Sequence, residues 1–111
     1  MRVRITWHVT THGRGEKRIP AEVLRQEARR LMEALIAGEE AGGIANVAVE
    51  TDAEEPSITA EAILPGDDTR AAADHLRSLS SRVLDHPRST NNFPEWTLEF
   101  SEKSCLTEAG E

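Results

Sequence analysis

The apolar residues of this chain spell one unit twice: strand, amphipathic helix, strand, then strand, amphipathic helix, strand. The first helical stripe is Leu24, Ala28, Leu31 and Leu35; the second repeats the i, i+4, i+7, i+11 spacing at Ala72, Leu76, Leu79 and Val83, 48 residues further on. A one-striped helix must bury its stripe against another element. Two of them alternating with two-faced strands restrict the chain to a sheet covered on one side. At 111 residues there is enough chain for one core and not two.

The strands read by their period of two. Residues 2–10 set Val3, Ile5, Trp7 and Val9 against Arg4, Thr6, His8 and Thr10. Residues 45–51 set Ala45, Val47 and Val49 against Asn46, Ala48 and Glu50. Residues 58–64 set Ile58, Ala60, Ala62 and Leu64 against Thr59, Glu61 and Ile63, and residues 95–101 set Trp96, Leu98 and Phe100 against Glu95, Thr97, Glu99 and Ser101. Pro20 suits the first turn of the first helix, which the glycines following Gly38 bring to an end. Asp68 or Thr69 can cap the second helix. Residues 102–111 are polar and read as a frayed tail, leaving residues 1–101 as a single domain.

The order β-α-β-β-α-β resembles the ferredoxin-like split βαβ plan, an α+β fold. The resemblance covers residues 2–101 and implies a four-stranded antiparallel sheet, order 4-1-3-2, with both helices on one face. It implies no function, because this plan hosts many.

Charge narrows the function classes. The net charge is −7, but residues 1–37 carry +4, residues 38–68 carry −9 with no basic residue, and the last eleven carry −2. An acidic chain repels phosphate backbones at long range, so nucleic acid is not an expected partner. The open sheet face carries no aromatic on which bases could stack. No apolar run approaches the ~20 residues of a membrane span. The start, MRVRITWHV, reads as a strand and not as a signal peptide. A single cysteine, Cys105, cannot form an intrachain disulfide, so a cytoplasmic location is expected. Eleven of the thirteen basic residues are Arg and alanine is abundant, a composition common in GC-rich bacterial genomes.

Two groups of residues are candidate sites. Three connections gather at one end of this fold, bringing His12, Arg14, Lys17, Arg18, His86 and Arg88 toward the start of the first helix, where backbone N–H groups and the helix dipole favour an anion. The intervening Gly13 and Gly15 let backbone approach a ligand, although neither a dinucleotide fingerprint nor a P-loop is present. The second group lies on the open face: Arg4, His8, Glu61 and Glu99, with Arg4 expected to pair with Glu61 or Glu99.

Metal binding is not expected. His8 and His12 stand ~13 Å apart along an extended strand, and His75 and His86 are remote in sequence. No catalytic residue is expected either: Cys105 falls in the tail, and Asp85, His86 and Ser89 share one loop, whereas triads are assembled from distant segments. No cofactor is implied.

These residues therefore point to a small binding or regulatory module that meets a protein or a small anion at its basic end. Strand 45–51 is a weakly guarded sheet edge through which two copies could pair as a homodimer. A small enzyme using the open face is the alternative from another class. An immunity or accessory protein of a phage or bacterial conflict system is a third, carried only by the small acidic domain.

Overall fold

A computed structural model describes residues 1–12, 19–84, 89–90 and 93–108, without the side chains of residues 11, 12, 89, 90 and 93–97. The side chain of Trp96, expected in the core, lies outside this set. The elements are β1 (Arg2–His12), α1 (Ala21–Glu40), β2 (Ala45–Asp52), β3 (Ser57–Ile63), α2 (Thr69–Leu84), β4 (Ser89–Thr90) and β5 (Phe93–Glu108). All strand pairs are antiparallel, and the sheet order is β2-β3-β1-β5-β4. Apart from the two-residue β4, this is the expected α+β arrangement with the last long strand beside β1.

β1 is the centre of the sheet. Val3, Ile5, Trp7 and Val9 are buried on one face, Trp7 at 6% exposure, and they share one core cluster with residues of both helices. That common core places α1 and α2 on the same face. α1 buries Val23, Leu24, Glu27, Leu31 and Leu35, and α2 buries Ala72, Ala73, Leu76, Ser80 and Leu84. The expected stripe therefore needs an adjustment. Ala28, Leu79 and Val83 are only half-buried, while Glu27 and Ser80, polar residues one turn from Leu31 and Leu76, go inside.

The helix ends follow from local chemistry. α1 runs two residues past Gly38 and closes with Gly43 N–H donating to the Gly38 carbonyl (3.3 Å) and Gly42 N–H to the Glu39 carbonyl (3.0 Å). This is the Schellman pattern, and its left-handed residue is Gly42 at φ +88. Gly38 serves packing instead. A Cβ there would lie 3.1 Å from the Leu79 side chain, so its bareness lets α1 approach α2. At α2, Asp68 is the cap, its carboxylate accepting from the Ala71 N–H at 3.1 Å.

Two strands depart from simple alternation. In β2 an extra residue interrupts the ladder between Ala45 and Ala48, with Asn46 at φ +51. Ala45 consequently stands opposite Ile63 on the open face, whereas strict alternation groups it with Val47 and Val49. In β5 the register slips between Trp7↔Glu102 and Thr6↔Ser104, leaving Lys103 as a bulge. β5 does not end at Ser101 as expected. It continues as strand to Glu108, paired with Arg2, so residues 102–108 belong to the sheet and not to a frayed tail.

Chemical denaturation of three variants checks the α2 cap and the α2 core. Asp68→Ala removes the cap and is expected to cost about 1 kcal/mol, whereas Thr69→Ala, next to it, leaves stability nearly unchanged. Ser80→Ala is expected to act the other way. The Ser80 hydroxyl is buried with no hydrogen-bond partner among the described residues, so deleting it should raise stability by about 1 kcal/mol.

Candidate functional site

The pairing register lays the open face out as rows. Ala45, Ile63, Arg2 and Glu108 form one, followed by Ala48, Glu61, Arg4 and Leu106. Next come Glu50, Thr59, Thr6 and Ser104, and then Asp52, Ser57, His8 and Ser101. Thr10 and Glu99 follow beyond the end of β3.

Within this lattice the expected charge pairs re-sort. Arg4 reaches past β3 to Glu50 on β2 (3.0 Å), and Glu61 instead receives Arg2 (3.7 Å). The Thr6 and Thr59 hydroxyls are 2.9 Å apart in a hydrogen bond between adjacent strands. Arg4 and Glu61 are thus neighbours on the sheet but are not each other's ion partners. His8 lies two rows further on. Glu99 is in register with Thr10, six residues along β1 from Arg4 and so ~20 Å away. The four residues Arg4, His8, Glu61 and Glu99 share one exposed face, but they do not converge on one small substrate.

The bulge at Lys103 decides what the far end of this face displays. Counting by twos from Leu98 and Phe100 would send Leu106 to the core. The extra residue inverts the phase. Cys105, opposite Ile5, packs half-buried against the core, and Leu106 stands 59% exposed on the open face. Glu102, opposite Trp7, comes to the helix side, where Arg77 of α2 grips both its oxygens (2.6 and 3.1 Å) while also bonding Asp74 (2.6 Å). Lys103 reaches Glu55 in the β2–β3 turn at 3.4 Å. Alternation carried no sign of the Arg77–Glu102 tie, because the run Ser101–Ser104 is polar on both phases and has no period.

The basic end is visible through its anchors. His12, Thr97 and Ser89 fall in one row, since Thr97 pairs with both of the others. His12, which ends β1, and Ser89, which opens β4, therefore lie on either side of β5 in one row. α1 begins nearby in sequence at Ala21, with Pro20 at its cap position and no side-chain cap. The side chain of His12, and residues Arg14, Lys17, Arg18, His86 and Arg88, lie outside the described residues. Glu27 is the one acidic residue buried in α1; both its oxygens accept from Arg30 (3.2 and 3.3 Å). Its spacing to Leu31 and Leu35 was the signal available for it.

Among the described residues no group of three His, Cys, Asp or Glu side chains is placed to hold a metal ion, and no helix is long and apolar enough to cross a membrane. The chain matches no protein-family model, no curated protein and no solved structure. Its class is set by its architecture: an α+β sandwich with one helix-covered and one bare sheet face.

Cys105 provides a check on the bulge. Burial pushes its thiol above the ordinary value, only partly opposed by the nearby Arg77. Alkylation by iodoacetamide in the native protein should therefore rise with pH at a higher midpoint than in the urea-unfolded chain. Equal midpoints would mean that Cys105 sits in an open tail.

Proposed function

We propose that this chain is a small binding or regulatory module, without catalytic chemistry of its own, that engages a protein partner or a small anion at its basic end. The supporting observation is the shared row of His12, Thr97 and Ser89, in which β1 ends and β4 begins on either side of β5. Arg14, Lys17 and Arg18 follow His12 in the sequence, while His86 and Arg88 precede Ser89. The uncapped start of α1 adds backbone donors that suit an anion. The acidic surplus elsewhere argues against nucleic acid as the partner and for a compact anionic group.

The same reading includes a homodimer formed along β2, the strand at one end of the sheet. A cytoplasmic setting fits the single free thiol, and a bacterial origin fits the arginine- and alanine-rich composition.

Isothermal titration against inorganic phosphate and an acidic peptide tests the anion reading. Heat is expected with at least one of them, and Arg14→Ala combined with Arg18→Ala should abolish it. Absence of heat with both ligands, or titrations unaltered by the double substitution, would remove the basic end from consideration.

A further inference from the structure

The sheet has two sides to which a further strand could be added. β2 forms one of them. On the other, β4 covers β5 only where Ser89 faces Thr97 and Thr90 faces Phe93. From Leu98 to Glu108 no described strand lies on the outer side of β5. This is the longer of the two edges, and it carries Leu98, Phe100, Cys105 and Leu106, the last 59% exposed. A long edge with apolar side chains is a template for a strand from another chain.

The Lys103 bulge falls in the middle of that edge. In an antiparallel strand every second residue turns its N–H and C=O groups toward the same neighbour. The set aimed outward from β5 therefore breaks its step of two at the bulge, passing from Glu102 to Cys105 or from Ser101 to Ser104. On the inner side β1 absorbs the extra residue, with Thr6 facing Ser104 and Trp7 facing Glu102. On the outer side a regular strand would keep register with one half of the edge only. Lys103 also places a charge at this point, its ammonium 3.4 Å from Glu55.

We infer that the Lys103 bulge is a guard, which closes the outer edge of β5 to strand addition and keeps copies of this chain from pairing there. Bulges and lysines are devices by which sheets blunt exposed edges. Register alone does not require the extra residue. Without Lys103, β5 would keep its pairs with β1 on both sides, because Glu102 already faces Trp7 and Ser104 already faces Thr6. Cys105 and Leu106 would stay on their present faces, and the outward groups would run in one register from Leu98 to Glu108. The guard stands or falls independently of β2 as a homodimer edge. Where that dimer forms, a closed β5 is what stops it at two copies.

Deletion of Lys103 tests the guard, with Lys103→Ala as the control that keeps the bulge and loses the charge. Light scattering after size exclusion, across the micromolar range, is expected to give the deleted chain at least twice the wild-type mass and Lys103→Ala the wild-type mass. A deleted chain with the native circular-dichroism spectrum and an unchanged mass overturns the guard. Association of Lys103→Ala to the same extent moves the protection to the ammonium and overturns the role of the bulge. If the deleted chain does not fold, amide hydrogen exchange in the wild type decides. The outward amides of residues 98–108 are expected to exchange at a rate independent of protein concentration, and protection that grows with concentration would show the edge in use. A wild type at the single-chain mass removes the β2 dimer and leaves the guard standing, so the two readings are judged apart.

Discussion

The burial of the β1 apolar face is the constraint on which the rest depends. Val3, Ile5, Trp7 and Val9 are each at most 6% exposed, and β1 is flanked by β3 on one side and β5 on the other. With side chains alternating, committing these four residues to the helix layer commits Arg2, Arg4, Thr6, His8 and Thr10 to the other face. The β3 and β5 neighbours described for the open face are then consequences of register against this one strand. A slip of a single residue would put Trp7 in water and the arginines in the core.

That dependence explains which features could be read from the sequence. β1, the two helices and their common face were legible because Val3, Ile5, Trp7 and Val9 alternate cleanly and the Leu24 and Leu76 stripes hold their period. β5 was legible only where Leu98 and Phe100 mark one phase. Past Ser101 the residues Glu102, Lys103 and Ser104 are polar whichever way they point, so neither the bulge nor the continuation to Glu108 had a periodic signature. What specifies them is tertiary: the edge of β1 from Arg2 to Thr6 needs backbone partners, and Arg77 on α2 needs an anion beneath it. The Asn46 bulge was hidden in the same way inside a run of small residues.

The candidate site divides along the same line. The placement of Arg4, His8 and Glu61 on the open face followed from alternation along β1 and β3, and the register bears it out. Their ion partners were not legible, because Arg4 spans an entire strand to reach Glu50 and no pairing rule for adjacent strands anticipates that. Exposed pairs of this kind contribute little to stability. Their effect is to fix the direction of each long side chain, so the face presents a defined pattern of charge to whatever meets it.

Charge segregation along the chain acquires a spatial meaning once the fold is set. Residues 1–37 carry the positive surplus, and residues 38–68, which include the end of α1, β2 and β3, carry nine acids without a base. Folding places the boundary between these blocks within α1, near Gly38, so a helix that balances three arginines against three glutamates over residues 21–37 ends on Glu39 and Glu40 with no base. Within a single copy that asymmetry is unfavourable at the helix terminus, and Arg4 and Arg2 offset only Glu50 and Glu61 of the acidic block.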